Sequence, residues 1–359
     1  MTEHTGLFGL YNSNRSIDEH WGKNCFNSSF PASLASYMLD QNKKAIYLRL
    51  EESEGELKVV ADEISIEDVF NSHGKKLDEL YFSFESRYDP YNKYAFDMID
   101  GIDLVIKDLN GNFLSPLEVK LTVLPDNSTV KKDEQDWGCE LVVRAATTSY
   151  CALGMFDAVS TKKDDIRLIF ENVCSSIQMW DNDFEVTHKM PGICSALNEF
   201  EKQNLNHQHP LLMQTLWKTE GQSPILCKNA FDIVIWSDYA FSRLFIDSAM
   251  ASKSTTMNRF MRSTARLARC LWELSKSNRI RLTDIYRQMA YSVQTDKEFS
   301  INGSRWRSYV NTSRLTNLAI NQSALDTIIE EGYVEQLRPE RRFDQTLYFT
   351  RRIQTETSD

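Results

Sequence analysis

The chain of 359 residues is long enough to bury a large core, and its length fits two domains better than one, which excludes a single small module. A hydrophobic content of 42% and an aromatic content of 11% exclude wholesale disorder, despite 26% charged residues. The net charge of −10 argues against a protein that coats nucleic acid nonspecifically, but Lys253 to Arg351 carries 17 Lys and Arg against 10 Asp and Glu, a balance of +7 that leaves −17 for the rest and makes the C-terminal third the candidate for facing a polyanion.

Met1 to Leu10 holds no basic segment followed by an apolar run, and no stretch approaches the roughly 20 apolar residues that span a bilayer, so a soluble, cytoplasmic protein is expected. The 7 cysteines are scattered without a C-x-x-C pair, which predicts reduced thiols and no zinc cluster. His207 and His209 are read as part of a solvated turn rather than as metal ligands. No repeat or low-complexity tract is present.

In chain order, the asparagine-rich stretch through Pro31 reads as loop, followed by a helix from Ala32 to Leu39. Ala45 to Leu50 is a short strand, and Ile64 to Phe70 a short helix opened by serine and acidic residues. Ile102 to Ile106 and Leu117 to Val123 are predicted strands joined through the turn Asn110-Gly111, a hairpin. Glu140 to Arg144 is a third strand candidate, and Phe231 to Trp236 an apolar strand. From Thr255 the pattern turns helical. At about 100° per residue, Arg259, Arg262, Arg266 and Arg269 fall within an arc of about 80°, apart from the Phe260, Leu267, Leu271 and Leu274 face. A helix from Thr283, capped by that residue, and another from about Leu315 to Glu331 follow. Beyond Gly332, Tyr333 to Glu335 and Thr346 to Thr350 flank the basic turn carrying Arg338, Arg341 and Arg342. The expected architecture is α/β, with a mixed sheet flanked by helices over residues 1–250 and a basic, mostly helical, winged-helix-like region over 251–359.

Chemistry concentrates in the hairpin. Hydrolysis of a phosphodiester calls for a metal that neutralises phosphate charge and acidifies water, and Mg²⁺ prefers carboxylate, backbone carbonyl and water oxygens. Asp103 and Glu118 on neighbouring strands, with the intervening position Val119, supply such a set. Lys120 follows Glu118 by two residues and therefore projects on the same face, where its ammonium can orient the water or stabilise a pentacoordinate phosphate. Asp, 14 residues, then Glu-Val-Lys on apolar strands resembles the PD-(D/E)XK nuclease motif, with Ile102 in place of its proline. The alternative is that Glu118 and Lys120 are a charged outer face of a strand. Glu85 is the preferred candidate for a further carboxylate, which such nucleases draw from an upstream helix. Asp97 and Asp100 read as loop acids.

Gly6 to Arg15, Trp21 to Asn24, Phe26 to Pro31 and the Asp103 to Lys120 core together resemble the HindVP family of type II restriction endonucleases, over most of the chain. That resemblance implies Mg²⁺-dependent cleavage of double-stranded DNA within a short palindrome, of the GRCGYC type in the family's named member, with a methyltransferase protecting host DNA. Two strands of a palindrome call for two related active sites, hence a homodimer. Asn14, Arg15, Lys23 and Asn24 are candidate DNA contacts, as are Arg259, Arg262, Arg266 and Arg269; for each a structural role is the competing reading. The rival functions are a noncatalytic DNA-binding regulator built on the basic C-terminal region and a repair or structure-selective nuclease on the same core.

Overall fold

The structure, a computed structural model, describes residues 23–120, 137–138, 140–220, 226–291, 297–302, 309, 317–324 and 354–356. Its elements in order are α1 (Lys23–Asp40), β1 (Lys44–Ser53), β2 (Glu56–Ser65), α2 (Ile66–Phe70), β3 (Leu80–Ser86), β4 (Ile102–Asp108), β5 (Phe113–Lys120), β6 (Trp137–Gly138), β7 (Glu140–Arg144), α3 (Ala145–Ala158), α4 (Lys163–Cys174), α5 (Asp183–His188), α6 (Met190–Gln203), β8 (Pro210–Thr219) and β9 (Leu226–Ser237). They continue with α7 (Asp238–Met250), α8 (Arg259–Ser277), α9 (Leu282–Gln288), β10 (Lys297–Asn302), β11 (Ile320–Asn321) and β12 (Gln354–Glu356).

The main sheet runs β12-β3-β4-β5-β8-β9-β1-β2. It is mixed: β3, β4 and β5 are successive antiparallel neighbours, β5 runs parallel to β8, and β9 runs parallel to β1. Strand side chains alternate, so the sheet has two buried faces. Phe82, Phe84, Leu104, Ile106, Leu117 and Val119 pack in one cluster with Phe30, Leu34 and Met38 of α1 and Val69 and Phe70 of α2. The opposite face, with Val105, Val234 and Trp236, is covered by a helical layer drawn from α3, α4, α6, α7 and α8. Glu118 and Lys120 alternate with Leu117 and Val119, and therefore look toward that second layer.

The Ala45 and Phe231 strands are as expected, and β4 and β5 form the expected hairpin, its second strand starting at Phe113 with 121–123 outside the described residues. The short helix starts at Ile66, because Ile64 and Ser65 belong to β2, and Ser65 caps it by accepting the Asp68 amide at 3.0 Å. Gly111 takes the left-handed φ of 79° that the hairpin turn requires. α1 begins at Lys23 rather than Ala32 and carries Pro31 within it. Burial of Phe30, Ala32 and Leu34 against the sheet outweighs the turn preference of the preceding asparagines.

The C-terminal third differs more. α8 lies inside the helical layer, in contact with α3, α4, α6 and α7, and its residues share one hydrophobic cluster with the sheet. The expected division near residue 250 therefore coincides with no break in the core. α9 begins at Leu282 with no side-chain cap from its own flank. Of the predicted helix from Leu315 to Glu331, only 317–324 are described, and there Ile320–Asn321 forms a strand paired with β9. The basic turn at Arg338, Arg341 and Arg342 and its flanking strands lie outside the described residues, and with them the wing of the winged-helix expectation. Among the described residues, no helix is long and apolar enough to cross a membrane.

Candidate active site

β4 and β5 pair antiparallel with Leu104 opposite Leu117, so Asp103 and Glu118 sit one step beyond, across from each other. The ladder opens there because the Asp103 carboxylate takes over from the backbone: its Oδ2 accepts the Val119 amide at 2.8 Å. The same oxygen accepts from Lys120 Nζ at 3.3 Å, and Lys120 Nζ also donates to Glu118 Oε1. The ammonium thus bridges two carboxylates from adjacent strands. The Lys120 and Glu118 side chains are 13% and 11% exposed, so these charges are largely removed from water and interact strongly.

Burial, followed by the charge of Glu118, pushes the Asp103 carboxyl up to about 7. Burial alone would pull the Lys120 ammonium down, but Glu118 and Asp103 outweigh it and the group is raised. Lys120 is therefore a fixed cation at neutral pH, suited to electrostatic stabilisation rather than to proton abstraction.

Glu85 lies on β3, not on a helix as expected, and is exposed. Phe84 pairs with Leu104 and Ser86 with Ile102, which brackets Glu85 opposite Asp103. Its φ of 49° is left-handed, unusual for a non-glycine residue in a strand. Although the residue as a whole is exposed, its carboxyl is partly enclosed by neighbouring atoms; that partial burial, followed by the nearby charge of Glu118, raises it, while Lys120 and Arg144 oppose the shift. Gly101 makes room for this backbone: a Cβ there would stand 3.0 Å from the Glu85 carbonyl oxygen.

Thr147, absent from the sequence reading, completes the centre. It sits in the first turn of α3, 1% exposed, and its Oγ1 donates to Glu118 Oε1 at 2.9 Å. In the sequence it is one of two threonines behind a short strand, and only the fold, which brings the first turn of α3 to Glu118, reveals its partner.

The donors fit a hard divalent cation. Two carboxylates and a backbone carbonyl are oxygen ligands of the kind Mg²⁺ takes, and a cation would offset both the burial that chiefly raises Asp103 and the repulsion from Glu118 that adds to it. Among the described residues no cluster of three or more His, Cys, Asp and Glu side chains is placed to hold a metal ion.

Other expected site residues fall elsewhere. Asn14 and Arg15 lie outside the described residues, and Lys23 and Asn24 open α1. The arginine stripe turns inward. Arg262, Arg266 and Arg269 are 3%, 2% and 6% exposed. Arg262 donates to the Ala290 carbonyl at 3.1 Å; Arg266 reaches the Met289 carbonyl at 3.4 Å and lies over the Tyr286 ring; Arg269 pairs with Glu273 at 2.7 Å and lies over the Trp180 ring. These three hold α9 and its following turn against α8, a correction to their reading as a phosphate-facing stripe; only Arg259, at the start of α8, is partly exposed. Asp97 is likewise structural, as a cap for α9.

A profile of the HindVP restriction endonuclease family matches residues 21–354. The type II restriction enzyme HgiDI of Herpetosiphon aurantiacus is 32% identical over 348 residues, covering 96% of each chain. The probable type II restriction enzyme HindVP of Haemophilus influenzae is 32% identical over 345 residues, 95% of this chain and 92% of that one. No solved structure matches. With a paired-carboxylate and lysine centre on a mixed sheet, and likeness along almost its whole length, the chain belongs to the HindVP family of restriction endonucleases.

Proposed function

We propose that this restriction endonuclease hydrolyses double-stranded DNA with Mg²⁺, using Asp103, Glu118 and the Val119 carbonyl as metal ligands and Lys120 as the fixed cation beside the scissile phosphate. The observation that supports this most is the convergence of Lys120 Nζ on Asp103 Oδ2 and Glu118 Oε1 across two strands. When bound, the ion supplies charge neutralisation and a more acidic water. Asp103 and Glu118 hold their oxygens on one face of the sheet, at the rim where the β4–β5 ladder ends. Lys120 positions the attacking water or stabilises the additional negative charge of the pentacoordinate phosphate. Glu85 adds a further carboxylate to the same rim, which can receive the proton that the water gives up.

The substrate is a short palindromic site of the GRCGYC type, cut by a homodimer whose two centres address the two strands, with a methyltransferase protecting host DNA. Asn14, Arg15, Lys23, Asn24 and Arg259 are the proposed DNA contacts. Incubation of the purified protein with a plasmid of known sequence, with and without Mg²⁺, followed by mapping of the ends tests the proposal. Discrete, reproducible fragments that require the metal are expected. Binding without cleavage, or a smear of unrelated ends, would overturn it.

A further inference from the structure

Glu118 is anchored from two sides at one oxygen. Lys120 reaches Oε1 from the same strand, and Thr147 reaches it at 2.9 Å from the helix that follows β7. Among the described residues, no hydrogen bond is made to Oε2. A carboxylate held in this way has one oxygen fixed and the other left to accept a cation.

The position of Thr147 is unusual for its residue type. A threonine within a helix commonly returns its hydroxyl to a carbonyl of the preceding turn, whereas this one, in the first turn of α3, directs it across to a strand. The turn is a poor place to bury a hydroxyl without a partner, since an unmet donor there carries a desolvation penalty. Glu118 is that partner.

We infer that Thr147 is a positioning residue: its hydroxyl fixes the rotamer of Glu118 so that Oε2 faces the divalent cation. This rests on the reading of Glu118 as a metal ligand. Thr147 touches neither substrate nor metal, and acts by removing the rotational freedom that a free carboxylate would lose on binding the ion. Valine at this position preserves the shape and deletes the donor; serine preserves the donor and deletes a methyl group.

The test uses the full chain as wild type, Thr147→Val, Thr147→Ser and Glu118→Ala. Each is titrated with Mn²⁺ alone in a calorimeter, and each is assayed for plasmid cleavage across a range of Mg²⁺ concentrations. Removal of a group that orients a metal ligand costs about 10- to 100-fold in metal affinity or activity. Thr147→Val should therefore bind Mn²⁺ about tenfold more weakly and need about tenfold more Mg²⁺ for half-maximal cleavage, while Thr147→Ser stays within about twofold of wild type. Thr147→Val behaving as wild type, or Thr147→Ser as impaired as Thr147→Val, would overturn the inference. Glu118→Ala separates the two levels: if it binds Mn²⁺ and cleaves normally, the metal-site reading itself fails, whereas an inactive Glu118→Ala beside an unchanged Thr147→Val removes only the role of Thr147.

Discussion

Asp97 and Thr283 are joined twice: Asp97 Oδ2 accepts the Thr283 amide at 2.8 Å and the Thr283 hydroxyl at 2.6 Å. Asp97 Oδ1 also accepts the Leu282 amide at 3.0 Å, so the loop that leads into the strand of Asp103 caps a helix 185 residues further along the chain. Loss of a helix cap costs about 1–2 kcal/mol. Asp97→Ala should lower Tm by a few degrees in a thermal melt, and an unchanged Tm would show that the cap contributes nothing.

The buried arginines give a sharper contrast. If Arg266 holds the Met289 carbonyl and the Tyr286 ring, Arg266→Ala should destabilise the fold by on the order of 2–3 kcal/mol. The salt dependence of DNA binding by the folded fraction should stay the same, because no phosphate contact is lost. A reduced salt slope with unchanged Tm would restore the phosphate-facing reading.

Much of the centre was legible in the sequence because its carriers are local. Asp103, Glu118 and Lys120 lie on two strands of one hairpin, and the two-residue alternation alone puts Glu118 and Lys120 on one face. The arginine stripe shows where such reading stops. Periodicity reported correctly that the four residues share a face of α8, but which face meets solvent depends on how the next helix, α9, folds back and on Trp180, which is distant in sequence. Strands β2 and β8 escaped for opposite reasons. β2 is an edge strand interrupted by Lys58, Asp62 and Glu63, and β8 is buried on both faces, so neither shows clean alternation. Thr147 and Asp97 act across long sequence separations and leave no local mark.

Glu85 depends on a strained backbone that Gly101 allows. Gly101→Val would press on the Glu85 carbonyl and turn its side chain, so cleavage should fall by about tenfold or more. Glu85→Gln should fall by a comparable factor with no loss of Tm. Full activity in both variants would remove Glu85 from the catalytic rim.

Asp238 supplies a pH signature away from the active centre. It is 2% exposed, and burial pushes its carboxyl up to about 8, although it accepts the His209 and Tyr239 amides at 3.2 and 2.8 Å. An unfolded aspartate titrates near about 3.9. Between those values the folded state binds more protons than the unfolded state, so this residue's contribution to stability falls as pH rises through the window and levels off above about 8. Tm measured at pH 6 and pH 9 should therefore drop less in Asp238→Asn than in wild type. Parallel changes would contradict the assignment.

Asp103, Glu118 and Lys120 are proposed to form one metal-dependent hydrolytic centre. It is tested most directly by single-turnover cleavage of a duplex carrying the mapped site, with Lys120→Ala and wild type at saturating Mg²⁺ and with duplex binding measured in parallel. Loss of the fixed cation should slow cleavage by about 10²- to 10³-fold while the duplex is still bound. Cleavage by Lys120→Ala at the wild-type rate would show that the lysine takes no part in hydrolysis.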